Sequence, residues 1–246
     1  MIAEDLHLIT GIGIGDHIIM YGIIKNLSPK YHNIYSYVCP ENYDNIVRLY
    51  KSIINLHIVK TSILNNMMMI DQQALDQAVN LYDIVTKILA KDPSTIINDV
   101  WMYNYFDLPI EKKWEDFYIE RDLEKEKDIY YNTLGLKDNE EFIFIHDDPY
   151  RGLCIDENKI NKDIKHINPY NYQTISIFDF LYTIERAKEI HVIISSFFTL
   201  IDIMNIKNEN IFCHKYLIKE KDVHGYGKAR EIVITQYRSR LNWQIL

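Results

Sequence analysis

The sequence lacks several features that would assign it to a well-defined class of protein. No stretch approaches the roughly 20 apolar residues that a membrane-spanning helix needs, so we expect no transmembrane segment. The first residues carry acids in place of the basic start of a signal peptide. Positive charge is in deficit, with 27 Lys and Arg against 35 Asp and Glu, and the net charge is −8. A broad nucleic-acid-binding surface needs the opposite balance, so we expect no nucleic-acid partner.

Cysteine is also scarce. Cys39, Cys154 and Cys213 lie far apart, are odd in number and lack the spacing of a metal site. They favour reduced thiols and therefore a cytoplasmic location.

Apolar residues, by contrast, make up 48% of the 246 residues, which is enough for a packed core in one large domain or two small ones. The oligomeric state is left open by the sequence.

Strand and helix signals alternate along both halves of the chain, and a charged region near residue 120 separates the two alternations. A βαβαβα order implies a parallel sheet covered on both faces. We therefore predict an α/β protein with two Rossmann-like parallel-sheet domains facing a cleft, at residues 1–120 and 121–246. The predicted strands are Leu6–Thr10, Ile34–Val38, Leu56–Val59, Glu141–His146, His191–Ile194, Asn210–Cys213 and Ile232–Thr235, with a hairpin or two short strands between Ile155 and Ile167. The predicted helices are Asp16–Leu27, Glu41–Ser52, Asp71–Leu89, Leu123–Leu134, Ile177–Lys188 and Phe197–Met204, and Asp99–Asp107 is predicted as an aromatic loop or a short closing element.

The first candidate site lies where the first predicted strand meets a helix. Gly11, Gly13 and Gly15 stand at alternate positions, and Asp16 and His17 follow directly. Glycines at this point let the backbone turn sharply and let a ligand approach closely. One interpretation makes Asp16 a plain helix cap. The other makes it a general base, which requires hydrogen-bond reach of an acceptor hydroxyl, and His17 is the alternative base because histidine titrates near neutrality.

The glycine pattern differs from the dinucleotide fingerprint G-x-G-x-x-G. Asp16 stands where the last glycine would be, and Val38-Cys39-Pro40 ends the second strand where an acid would bind ribose. The sequence therefore disfavours an NAD-dependent oxidoreductase.

The second candidate site follows the strand that ends at His146. Polar residues after a buried strand lie where open α/β sheets bind ligands. Arg151 offers a planar fork for phosphate, His146 a donor to a diphosphate or a sugar hydroxyl, and Asp147 and Asp148 acceptors for hydroxyls. In the alternative interpretation the segment is a polar turn in which Asp148 only orients Arg151. We expect no metal, because two adjacent acids point in different directions and no third acid matches them.

The third candidate site is the pair Ser195 and Ser196, between a buried strand and an apolar helix that begins at Phe197. Serine hydroxyls and the first free N–H groups of a helix converge on one point, which suits a phosphate. The alternative is that either serine only caps the helix. A serine hydrolase is disfavoured because no G-x-S-x-G motif surrounds these residues.

Together, these sites resemble those of the GT-B class of glycosyltransferases. Gly13-Ile14-Gly15-Asp16 is similar to the N-terminal loop of the heptosyltransferase-like branch, in which the aspartate is the proposed catalytic base. The segment from His146 to Arg151 and the run Ala187–Phe197 resemble the donor half of GT-B enzymes. In the fucosyltransferase-like branch a His and an Arg hold the nucleotide diphosphate, although Arg151 lies further from His146 than in the usual H-x-R pattern.

The resemblance implies an inverting, metal-independent glycosyltransferase. Its co-substrate would be a GDP-, UDP- or ADP-linked sugar, with no resident cofactor, and its acceptor a glycan or another hydroxyl compound. Residues 1–120 would bind the acceptor and residues 121–246 the nucleotide sugar. Two alternatives stay open, a catalytically inactive nucleotide- or sugar-binding protein of the same fold and an NAD-dependent oxidoreductase. The implied catalytic residues are Asp16 and His17, and the implied donor-binding residues are Gly13, Gly15, His146, Asp148, Arg151, Ser195, Ser196 and Phe197.

Overall fold

The chain divides into two compact units, Met1–Glu120 and Arg121–Leu246. The computed structural model describes residues 5–9, 13–64, 67–69, 78–80, 84, 98–149, 152–214, 217–218 and 238–246. In each unit the main described sheet is parallel, which confirms the predicted α/β class. Within the described ranges, no helix has both the length and the apolar composition needed to cross a membrane.

The sheet of the first unit has the strand order β3-β2-β1-β6, and every pairing in it is parallel. The chain fills β1, β2 and β3 in one direction and then adds β6 on the other side of β1. The direction of strand order therefore reverses at β1, and the carboxyl end of β1 lies at this switch point. The strands are β1 Leu6–Ile9, β2 Ile34–Val38, β3 Leu56–Lys60 and β6 Ala78–Asn80, with an antiparallel hairpin of β4 Ser62–Leu64 and β5 Met67–Met69.

The first helix, α1, packs closely against the later helices of its unit. A Cβ atom at Gly22 would lie 2.4 Å from the carbonyl oxygen of Lys112 and 2.6 Å from the hydroxyl of Tyr103, so only glycine fits there. A fully buried ion pair, Lys113 Nζ to Asp99 Oδ2 at 2.9 Å, joins the two later helices that carry these residues. The helices are α1 Ile14–Leu27, α2 Tyr43–Leu49, α3 Asp99–Tyr105 and α4 Lys112–Glu115, with 3-10 turns at Ser28–Lys30 and Pro40–Asn42.

The sheet of the second unit has the order β13-β11-β10-β7-β9, again with parallel pairings. The chain runs from β7 to β9 on one side and then to β10 on the other side of β7, so the switch point lies between β7 and β10. The strands are β7 Phe142–His146, β9 Lys165–Ile167, β10 Glu189–Val192, β11 Ile211–Cys213 and β13 Gln244–Ile245, and β8 Leu153–Cys154 pairs with β12 Leu217–Ile218 in a small antiparallel sheet.

The helices of the second unit are short. The first of them, α5, continues as a π-helical turn and stops before Gly135, whose φ of +61° suits glycine, as predicted. The helices are α5 Leu123–Asp128 with the π-helical turn Ile129–Thr133, α6 Leu181–Ile184 and α7 Ser196–Ile203, with 3-10 turns at Glu157–Lys159, Pro169–Tyr172 and Ile177–Phe180.

The C-terminal segment holds α7 in place. The side chain of Asp202, fully buried in α7, accepts hydrogen bonds from the hydroxyl of Ser239 and from the backbone N–H of Arg240. The rings of Phe198 and Trp243 lie 4.4 Å apart between centroids. The segment then joins the sheet as β13, so α7 is fixed against both the sheet and the end of the chain.

Four predictions about secondary structure need correction. The helix predicted at Asp71–Leu89 is wrong over Ala78–Asn80, which form β6 because they pair with β1; apart from Ile84, its other residues lie outside the described ranges. The helix predicted at Ile177–Lys188 is α-helical only over Leu181–Ile184. The helix predicted at Glu41–Ser52 is a 3-10 turn followed by the shorter α2.

The fourth correction concerns the segment between β7 and β10. Within the predicted range Ile155–Ile167, which the structure describes throughout, there is a single strand, β9, which pairs with β7, so both the hairpin and the pair of short strands predicted there are wrong. The other short strand, β8, precedes this range and pairs with β12. The aromatic segment at Asp99–Asp107 contains the helix α3. The strand predicted at Ile232–Thr235 lies outside the described residues.

Candidate functional site

The second and third sequence motifs meet at the carboxyl ends of β7 and β10. These strands are adjacent and parallel, and His146 is the register partner of Val192. The pairing continues beyond the strands, since the N–H of Ile193 donates to the carbonyl of His146 at 3.1 Å. The polar residues that follow both strands therefore emerge together, at the switch point where open parallel sheets bind ligands.

Ser195 connects the two motifs. Its backbone is extended, with φ −159°, and its Oγ accepts a hydrogen bond from the N–H of Phe198 at 3.5 Å, which caps α7. The same hydroxyl lies 3.0 Å from Nδ1 of His146. The rings of His146 and Phe197 are 4.6 Å apart between centroids. Three residues predicted as donor-binding, from motifs about 50 positions apart, thus form one cluster.

The segment after His146 is a tight turn. Asp148 and Leu153 exchange backbone hydrogen bonds of 2.8 and 2.9 Å. The turn is closed by Gly152, which has a φ of +70°. The turn of the alternative interpretation is therefore present, whereas its other part, the orientation of Arg151 by Asp148, stays a prediction. Arg151, the predicted phosphate-binding cation, lies outside the described residues.

Asn168 belongs to the same edge and was missed by the sequence analysis. Its side-chain amide donates to Asp147 Oδ1 at 3.0 Å, and its Oδ1 accepts from the N–H of Tyr170 at 2.9 Å. The signal for the second bond was present, because asparagine before Pro169 is typical of a turn start. The bond to Asp147 joins residues 21 positions apart and has no local signal.

The first motif forms the start of α1, after the carboxyl end of β1. Gly13 is extended and precedes the helix, and it has no side chain with which to cap it. Asp16, the third residue of the helix, caps the N–H that precedes it, since its Oδ2 accepts from the N–H of Gly13 at 3.2 Å, as the acid of a capping box does. Gly15 is the second residue of α1, and Gly11 lies outside the described ranges. The predicted capping role of Asp16 is therefore observed, and a catalytic role is compatible with its half-buried position.

His17 points into the core of the first unit. It is 1% exposed, and its ring meets the ring of Tyr50 edge-on at 5.9 Å. Burial lowers the pKa of His17 to about 4, so the imidazole is neutral at physiological pH. Of the two residues predicted as bases, Asp16 has the greater exposure.

The two helix starts differ in charge. The first turn of α1 contains the Asp16 carboxylate, whereas the first turn of α7, Ser-Phe-Phe-Thr, contains no acid. A helix N-terminus carries about half a positive charge and attracts anions. In α1 this charge is met by the chain itself, whereas in α7 the first turn supplies only neutral donors. An external anion is therefore favoured at α7 over α1.

Across the described part of the chain, no group of three or more His, Cys, Asp or Glu side chains is arranged to hold a metal ion.

No protein-family model matches the sequence, and no curated protein is significantly similar to it. Among solved structures, the chain is similar to the crystal structure of the glycosyl transferase family 9 from Veillonella parvula DSM 2008, with 7% identity and a TM-score of 0.42 over 87% of this chain and 80% of that chain.

Proposed function

We propose that the protein is a nucleotide-sugar-dependent glycosyltransferase of the GT-B class. The observation that carries the proposal is the cluster of His146, Ser195 and Phe197 at the switch point of the second sheet, beside the N-terminus of α7. This is the position at which open parallel sheets bind nucleotides and phosphates. Residues 121–246 are accordingly the donor domain and residues 1–120 the acceptor domain.

In this proposal the diphosphate of the donor binds at the start of α7. The backbone N–H groups of the first turn, the Ser196 hydroxyl and the His146 ring donate hydrogen bonds to its oxygens, and Arg151 adds a cation. Asp148 accepts from a hydroxyl of the ribose or of the sugar. These donors stabilise the charge that develops on the leaving diphosphate, so the transfer needs no metal ion.

Asp16 acts as the general base. The acceptor hydroxyl attacks the anomeric carbon, the bond from that carbon to the diphosphate oxygen breaks, and the hydroxyl proton passes to the Asp16 carboxylate. Attack from the face opposite the leaving group inverts the anomeric configuration. The hydrogen bond from Gly13 to Asp16 Oδ2 supports this role because it fixes the orientation of the carboxylate.

A binding protein without transfer activity is the second candidate. The long spacing between His146 and Arg151, compared with the H-x-R pattern, favours it. It predicts that a nucleotide binds but that no nucleotide sugar is consumed.

The test is the consumption of nucleotide sugars by the full chain. We would follow the release of GDP, UDP or ADP from a panel of their sugar conjugates by ³¹P nuclear magnetic resonance (NMR), with and without mixed glycan acceptors. We expect release from one nucleotide class, lost in Asp16→Asn. Binding of a nucleotide without release from any conjugate would favour the second candidate, and binding of NAD alone would contradict both.

A further inference from the structure

The hydroxyl of Ser195 makes two hydrogen bonds with different requirements. As the cap of α7, its Oγ accepts from the N–H of Phe198. The hydroxyl proton is then directed away from the helix, and Nδ1 of His146 lies 3.0 Å from Oγ. A serine hydroxyl has one proton to donate. In the bond to His146, therefore, either the serine hydroxyl donates to Nδ1 or an Nδ1–H group donates to Oγ.

The direction of this bond determines the tautomer of His146. A neutral imidazole has one N–H and one acceptor nitrogen. If Ser195 donates to Nδ1, the ring proton is on Nε2. In the reverse arrangement Oγ accepts from both Nδ1 and Phe198, and the proton of the half-buried serine is left to solvent. The first arrangement satisfies all three groups.

The backbone and the ring of His146 are both held in place. The backbone carbonyl of His146 accepts from the N–H of Ile193, and the Phe197 ring lies against the imidazole at 4.6 Å between centroids, with an angle of 44° between the ring planes. With Nδ1 directed at Ser195, Nε2 is directed away from Ser195. The cap of α7 and the orientation of the imidazole are therefore set by the same hydroxyl.

We propose that Ser195 is a positioning residue that holds His146 in the Nε2–H tautomer, so that the neutral ring presents a hydrogen-bond donor to a phosphate oxygen. The phosphate as ligand rests on the proposed function, whereas the tautomer does not. Recognition by a neutral donor requires no protonation of the ring and therefore persists at alkaline pH.

The tautomer can be measured without any ligand. The full chain is labelled with ¹⁵N-histidine, and long-range ¹H–¹⁵N correlation spectra are recorded at pH 8, with the His146 signals assigned by their absence in His146→Gln. We expect Nε2–H in the wild type, a mixture of both tautomers in Ser195→Ala, and restoration of Nε2–H in Ser195→Thr, which keeps the hydroxyl. Ser176→Ala, which removes the hydroxyl that caps a 3-10 turn in the same unit, should leave the signals unchanged. Nδ1–H in the wild type, or an unchanged tautomer in Ser195→Ala, would overturn the proposal.

A second measurement tests the donor itself. GDP, UDP and ADP are titrated into wild type, His146→Gln and His146→Asn, since the Gln amide nitrogen can replace Nε2 and the Asn amide nitrogen replaces Nδ1. We expect the bound nucleotide to lose at most about 3-fold in affinity with Gln and about 10-fold with Asn. Equal losses would overturn the donor role of Nε2. If the wild type has the Nε2–H tautomer but binds none of the three nucleotides, the proposed function fails and the positioning role of Ser195 stands.

Discussion

Two helices of this chain, α1 in the first unit and α7 in the second, begin directly after a strand at a switch point of a parallel sheet, and their first turns are built in opposite ways. α1 follows a glycine and uses the carboxylate of Asp16 as its acceptor. α7 follows a capping serine and has no acid in its first turn. Similar positions in similar sheets therefore differ in charge: the first turn of α1 carries a carboxylate and the first turn of α7 carries none, as the proposed base and the proposed anion site require.

The histidines beside these two helix starts also differ, in their burial and in their hydrogen bonding. His17 is buried in the core of the first unit, and this burial lowers its pKa. His146 is half-buried and hydrogen-bonded to the serine that caps α7. A histidine next to a glycine loop is thus not evidence of catalysis, whereas a histidine bonded to a helix cap is a candidate ligand donor.

The largest effect is expected for Asp16→Asn, which removes the carboxylate from α1. An amide oxygen can still accept from Gly13 but cannot take a proton, so turnover of the nucleotide sugar should fall about 10²- to 10⁴-fold while nucleotide affinity stays constant. Steady-state kinetics of product release measures this. Asp44→Asn, which removes an exposed carboxylate from the first turn of α2, is the matched control. Unchanged turnover in Asp16→Asn would exclude Asp16 as the base.

The burial of His17 predicts a loss of stability in acid. The folded chain has a lowered pKa of about 4 for His17 and the unfolded chain the ordinary value of 6.5, so between these values the unfolded chain binds the extra proton. The free energy of unfolding should therefore fall as the pH drops from 6.5 to about 4, with up to about 3 kcal/mol due to His17.

Urea unfolding across this pH range measures the effect. His191 and His214, whose pKa values burial also lowers, act in the same direction, so the informative quantity is the difference between wild type and His17→Gln. The slope should be smaller in His17→Gln than in His32→Gln, which changes an exposed histidine of the same unit. Equal slopes in the two variants would show that His17 is not buried as a neutral ring.

Ser196→Asp makes the first turn of α7 resemble that of α1. A carboxylate there repels a diphosphate, so we expect about 10- to 100-fold weaker binding of the nucleotide. The helix itself should be unaffected or slightly stabilised, because an acid is favourable at a helix N-terminus. Calorimetric titration and thermal unfolding separate the two effects. Ser176→Asp adds the same charge at another helical turn of the unit and should bind as the wild type does.

The smallest effect is expected for the cap itself. Ser195→Ala leaves the N–H of Phe198 without its acceptor and should cost about 1 kcal/mol in the free energy of unfolding. Asp16→Asn should cost less, since the amide still accepts from Gly13. Urea denaturation of both variants measures the difference. A larger loss of unfolding free energy in Asp16→Asn than in Ser195→Ala would contradict this order of the two caps.

The sequence predicted those features that depend on neighbouring residues. Strand β2 has the predicted bounds, and α7 begins one residue before its predicted start, with Ser195, one of the two serines predicted as its cap, at its N-terminus. The bond between Gly13 and Asp16 also spans one helical turn, and capping was one of the two interpretations. Local composition was sufficient in each case.

Contacts between distant residues could not be predicted. Strand β6 exists because Ala78–Asn80 pair with β1, some 70 positions earlier in the chain. The bond between His146 and Ser195 spans 49 positions, and that between Asp147 and Asn168 spans 21. His146 and Ser195 belong to separate motifs that the resemblance assigned to one donor site, but their direct contact depends on the order of the strands in the second sheet.

The most direct test of the account is calorimetric titration of GDP, UDP and ADP into the wild type, Ser196→Asp and Asp16→Asn. The account predicts that one nucleotide binds to the wild type and to Asp16→Asn with similar affinity and at least about 10-fold more weakly to Ser196→Asp. If none of the three binds, or if Asp16→Asn alters the affinity and Ser196→Asp does not, the anion site is not at α7 and the central claim is contradicted.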